Sequence, residues 1–157
     1  MKKVLYLATM LLCMAFTSCQ KEEIGGTATE SLAGEWYLMA SVDGSPIYGP
    51  FHLLTYNTAS NNPNEIWVDD KGNFWTFKVK ATGDINSLTF SAASAQNQNG
   101  DDITINITNG KIIKNGGVQN NGSPADLISM DVTFSDDDDA LVYHLEGVRY
   151  SGLVEND

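Results

Sequence analysis

Residues 103–108 read Ile-Thr-Ile-Asn-Ile-Thr, a strict alternation of apolar and polar side chains. Period two puts Ile103, Ile105 and Ile107 on one face of a strand and Thr104, Asn106 and Thr108 on the other. The pattern recurs at 128–134, where Ile128, Met130, Val132 and Phe134 alternate with polar residues. It recurs again at 74–81, where Trp75, Phe77 and Val79 alternate with Thr76, Lys78 and Lys80. Other strand-like runs lie at 34–40, 51–58, 65–68, 87–92, 111–114 and 141–149, separated by Gly, Asn, Asp and Pro. No window carries a convincing helical period. These runs make eight or nine strands with mostly short connections, for which consecutive antiparallel pairing is the natural topology. They predict an all-β domain: one eight-stranded antiparallel up-and-down barrel, whose closure removes every edge. A β-sandwich is the rival arrangement.

The connections carry their own signals. Asn109-Gly110, between 103–108 and 111–114, predicts a two-residue hairpin with positive φ at both positions. Residues 69–73 predict a tight turn, 96–101 a mobile polar loop and 135–139 an acidic turn.

The N-terminus is of a different kind. Met1-Lys2-Lys3 precedes an apolar run at 4–16 and then Thr17-Ser18-Cys19. This predicts a secretory signal over 1–18, too short for a stable membrane span. Phe16-Thr17-Ser18-Cys19 resembles a lipobox, which implies acylation of Cys19 and anchorage in the outer membrane by chain burial. Residues 19–31 then form the acylated cysteine and a flexible tether, and 32–157 the barrel domain. Gln20-Lys21-Glu22-Glu23 resembles the export signal of surface-exposed Bacteroidetes lipoproteins. Of the two cysteines, Cys13 falls in the removed segment, so no disulfide is open to the mature domain. The formal net charge of −11 becomes more negative still when Lys2 and Lys3 leave. Such a domain does not suit nucleic acid as a partner.

Gly34 and Trp36 open the first strand, and Arg149, the only arginine, sits near the end of the last. Gly-x-Trp with a late Arg resembles the signature of lipocalins and wider calycins. The resemblance implies that Trp36 and Arg149 pack together and close the barrel floor. Thr55-Tyr56-Asn57-Thr58-Ala59, Glu65-Ile66-Trp67-Val68-Asp69-Asp70, Gly72-Asn73-Phe74-Trp75 and 107–113 resemble motifs of a Bacteroidetes family of lipocalin-like lipoproteins. That family carries the label "lipid-binding putative hydrolase". The similarity spans roughly 32–155, with a departure at 123–128. The label names no catalytic residue to carry over.

No residue pattern stands out for catalysis. His52 and His144 lie in strand-like runs, and no Gly-x-Ser-x-Gly elbow occurs. Neither histidine has a second zinc ligand at motif spacing. Asp136-Asp137-Asp138-Asp139 reads as a solvated turn rather than a Ca²⁺ site. No cofactor is implied. The remaining candidates are the aromatic residues Trp36, Trp75, Phe77, Phe90, Phe134 and Tyr143. They would either line an apolar ligand pocket at the open end or fill the barrel completely. The reading is therefore non-catalytic binding of a lipid-like ligand. The alternatives are an accessory subunit that binds protein or glycan in a surface uptake complex, and a weak ester hydrolase.

Overall fold

A computed structural model describes residues 25–156. The signal segment, Cys19 and the Gln20-Lys21-Glu22-Glu23 stretch lie outside the described residues. A 3-10 turn (Glu30–Leu32) leads into β1 (Gly34–Val42), β2 (Ser45–Asn57), β3 (Glu65–Asp69) and β4 (Lys78–Asp84). Then follow β5 (Thr89–Gln96), β6 (Thr104–Val118), β7 (Pro124–Phe134), β8 (Tyr143–Arg149) and a last 3-10 turn (Val154–Asn156). The eight strands form a closed barrel in chain order, with every neighbouring pair antiparallel and β8 returning to β1. Every strand lies within 34–149, so a chain starting at Lys21 contains the whole barrel.

Period two drives the closure. Trp36, Leu38 and Ala40 of β1, Ile105 and Ile107 of β6, and Ile128, Met130 and Val132 of β7 all point inward and are buried. The barrel has a floor, formed by the start of β1 and the end of β8, and a mouth. The β1–β2, β3–β4, β5–β6 and β7–β8 connections ring the mouth.

Two local expectations fail, each for a physical reason. Asn109-Gly110 is not a hairpin: β6 runs straight through it. A two-residue type I′ turn needs positive φ at both positions. Here Asn109 has φ 55°, while Gly110 stays out of that region. One extra residue is absorbed between Thr108↔Asp131 and Lys111↔Ser129, which makes a β-bulge. The Asn109 side-chain amide donates to Asp131 at 2.7 Å and fixes it. Gly110 serves close packing instead. A Cβ there would strike the Phe90 carbonyl and lie 2.7 Å from the Phe90 ring.

The second failure is at 74–77, expected as the start of a strand. It is a loop, and β4 begins only at Lys78. The cause is Asp70, fully buried. One carboxylate oxygen accepts the N–H groups of Gly72 (2.8 Å) and Phe77 (2.9 Å). The other accepts those of Trp75 (2.7 Å) and Phe74 (3.1 Å). With its donors satisfied by one side chain, the segment needs no ladder. Thr76, at φ 54°, makes the turn.

The 96–101 stretch is tied in through Asn97, while 98–101 are exposed. The Asn97 amide donates to the carbonyls of Thr76, Asn99 and Asp101, and its oxygen accepts the Lys78 N–H at 2.9 Å.

Candidate functional site

The floor is one interlocked unit. Trp36 is fully buried, and its indole N–H donates to the Thr55 hydroxyl at 2.8 Å. That hydroxyl donates to the Leu32 carbonyl at 2.6 Å. Arg149 sits opposite Trp36 in the β1–β8 register, its guanidinium 4.5 Å from the ring centroid. It donates to the Ala33 carbonyl at 3.0 Å and to Asp126 at 3.3 Å. A Cβ on Gly34 would run into the guanidinium and lie 2.9 Å from the indole. Gly34, Trp36 and Arg149 therefore fit only as a set. Burial works against the charge on Asp126. The Lys114 ammonium at 2.9 Å, the Asn115 N–H and Arg149 outweigh it, and its carboxyl stays below the usual range.

At the mouth the 70–77 loop folds over the barrel and carries two half-buried rings inward. Trp75 stacks parallel on Phe134, with centroids 4.4 Å apart and planes 6° from parallel. Phe74 packs against Phe51 at 5.3 Å and Tyr143 at 5.5 Å. Phe77 meets Phe134 at 5.5 Å from below. The Trp75 indole N–H reaches across to Asp136 at 3.0 Å, tying the β3–β4 loop to the β7–β8 loop. Tyr143 donates its hydroxyl to Asp137 at 3.1 Å. Burial first, and that carboxylate second, push the Tyr143 phenol up.

The six aromatic residues expected in one pocket are thus divided. Trp75, Phe77, Phe134 and Tyr143 meet at the mouth. Trp36 is at the opposite end, in the floor. Phe90 lies low in the wall against Gly110, beneath an outer cleft of about 570 Å³ lined mainly by Thr82, Asp84, Thr89 and Lys111. The mouth cluster also includes Phe51 and Phe74. Phe51 was within reach of period two on β2. Phe74 was not, because the Asp70 loop sets its direction.

On the outer wall, Tyr56, Trp67 and β4 form a cross-strand row. The Lys78 ammonium lies 4.8 Å from the Trp67 ring centroid and 5.4 Å from that of Tyr56; Lys80 lies 5.8 Å from Trp67. The Tyr56 hydroxyl holds the Lys78 ammonium above its ordinary pKa, against a smaller opposing effect of burial.

The histidines sit on separate carboxylates. His52 Nδ1 is 3.0 Å from Glu35, and His144 Nδ1 is 2.7 Å from Asp131. His144 Nε2 faces Glu146 at 3.6 Å. Among the described residues no hydroxyl is hydrogen-bonded to either imidazole, so neither is set up to activate a serine.

A crystal structure of a Bacteroides ovatus protein of unknown function is similar over 74% of this chain, at 13% identity and a TM-score of 0.46. The match spans 41% of that protein's chain. No curated protein matches the sequence. The family model described as "Lipid-binding putative hydrolase" matches residues 21–154, and the chain belongs to that family.

Proposed function

We propose that this barrel binds a small apolar or amphipathic, lipid-like ligand without converting it. The observation that carries the reading is the aromatic cluster at the mouth. Its roof, Phe74 and Trp75, hangs from a loop held by one carboxylate rather than from a strand ladder. Such rings yield to an alkyl chain without breaking a sheet, and the chain replaces the apolar contacts they give up. The lipid-binding description of the family agrees. The hydrolase half of it finds no nucleophile paired with a base among the described residues. In this reading an acyl group on Cys19 tethers the domain to the outer membrane, and Gln20-Lys21-Glu22-Glu23 carries it to the cell surface.

The test is titration of residues 21–157 with an environment-sensitive fatty-acid probe. Saturable probe emission with quenching of tryptophan fluorescence is expected. Silence across probes of several chain lengths refutes the reading.

A second reading, an accessory subunit of a surface uptake complex, draws on the exposed Met39, Ile47 and Tyr48 of β1 and β2. Mild crosslinking on host cells should then trap a membrane partner, and a clean monomer counts against it.

A further inference from the structure

We propose that the ligand is a long-chain carboxylic acid: its head group rests on Lys78 and Lys80 outside β4, and its chain passes between β4 and β5 into the aromatic end of the barrel. This rests on the binding reading above and names its ligand class and route.

One seam of the wall is held by few ladder pairs. β4 and β5 share the shortest ladder in the barrel, the three pairs Thr82↔Ser91, Gly83↔Phe90 and Asp84↔Thr89. The seam closes again only at the mouth, where the Gln98 N–H donates to the Lys78 carbonyl at 2.8 Å. The Lys78 N–H meets the Asn97 side-chain oxygen there at 2.9 Å. Between these clamps residues 79–81 of β4 have no ladder partner on β5. The facing part of β5 is bulged. Ser94 has φ 45°, and its N–H turns to the Asn106 side chain on β6 at 2.8 Å. Residues 79–81 span about 10 Å of wall, which is closed as it stands, since Val79 and Ala81 are fully buried. A methylene chain is roughly 4 Å thick at contact. Opening this stretch breaks no ladder pair between β4 and β5.

Its lining suits an alkyl chain. Val79, Ala81 and Ala92 are buried and Ala95 is half-buried, so every inward side chain is apolar and none is large. Phe77, next to Lys78 in the chain, leads from this stretch to Phe134.

Its outer rim suits an anion. A cleft of about 390 Å³ lies over the seam, bounded by Trp67, Lys80, Ala95, Gln96 and Gln98. Lys78 has no carboxylate within 4.0 Å among the described residues, and Lys80 has only Glu65 at 3.7 Å. Asp69, paired with Lys78 across the strands, is engaged by the Tyr56 hydroxyl at 2.9 Å and the Lys71 N–H at 2.9 Å. In a chain with 20 acidic and 9 basic residues, two ammonium groups so little neutralised on one face stand apart. Trp67 holds both near the seam through its ring face.

The experiment compares hexadecanoic acid with hexadecan-1-ol, each displacing a fluorescent fatty-acid probe from residues 21–157. The acid should bind at least about tenfold tighter at low salt, the margin of one charge-assisted contact. That margin should shrink at high salt. In K78M/K80M, which keeps both apolar stems, acid and alcohol should bind alike. Ala95→Leu should slow association of both without changing their ratio. Equal binding of acid and alcohol to the native chain, or a preference that survives K78M/K80M, overturns the head-group assignment. Unchanged association in Ala95→Leu overturns the route. No binding of either ligand removes the binding reading itself, a different result from unselective binding.

Discussion

Replacing Asp70 by Asn tests whether one carboxylate builds the mouth. The swap is isosteric, so packing is kept and only hydrogen bonding changes. The carboxylate accepts four backbone N–H groups at 2.7–3.1 Å, two on each oxygen. Asn keeps one oxygen, which serves two donors without the help of charge. Its NH₂ group then faces the other two donors. Stranding a buried donor costs about 1–3 kcal/mol, and each bond to a neutral acceptor is weaker by about 1 kcal/mol. The crude total is about 4–8 kcal/mol. Because Phe74 and Trp75 are only half-buried, water can reach their N–H groups once the loop shifts. That relief brings the expected loss to about 3 kcal/mol. For a domain whose whole stability is about 5–15 kcal/mol, this is a large share. Urea unfolding followed by far-UV circular dichroism and tryptophan emission measures it. The near-ultraviolet signal of the stacked Trp75–Phe134 pair should weaken at the same time. A loss below about 1 kcal/mol, with that signal intact, would show that the loop is shaped by its own ring packing and not by Asp70.

Three further outcomes follow from the same structure. Trp36→Ala should cost about 3–5 kcal/mol in urea unfolding as a buried aromatic truncation, and under 1 kcal/mol would mean that the floor does not depend on it. Gly110→Ala should destabilise by about 1–3 kcal/mol by overpacking against Phe90, whereas an Asn-Gly hairpin turn elsewhere would report nothing about Phe90; a thermal melt decides. Asp126 has a folded-state pKa below its unfolded one, so its contribution is complete above the unfolded value of about 3.9 and is lost as pH falls through the folded value. In Asp126→Asn the stability-versus-pH curve should flatten across that acid window, and an unchanged slope would refute the assignment.

The sequence made the barrel wall legible where burial is one-sided. In 103–108 and 128–134 a one-residue slip would turn every Ile to solvent, so alternation alone defines the strand. It misled where a local rule met a long-range partner. Asn109-Gly110 satisfies the hairpin rule on its face, yet Phe90 on the next strand needs the glycine for contact, and the chain continues. At 74–77 the alternation of Trp75, Phe77 and Val79 holds for facing, since all three turn inward, but the backbone is no strand before Lys78. Asp70, four to seven residues earlier, takes the donors that a ladder would have used. The floor was readable from Gly34, Trp36 and Arg149 because bulk, absence of bulk and charge each leave a distinct letter. The mouth was only half readable, since Phe51 follows the period and Phe74 does not. The seam between β4 and β5 was invisible, because runs of Ala and Thr look the same whether or not the neighbouring strand pairs with them.

An antiparallel barrel with an even number of strands brings its chain back to the side from which it set out. Residue 34 begins β1 and residue 149 ends β8 beside Trp36, so the chain enters and leaves the barrel at the floor. The tryptophan–arginine unit is thus a base plate with both leads on its underside. On the proposed acylation of Cys19, the tether would reach the barrel at that plate, where β1 begins, and not at the mouth loops. A domain so moored would present Trp75 and the Asp136 turn at the end opposite its mooring. The sparsely paired stretch of β4 lies on the mouth side of the wall, away from that plate.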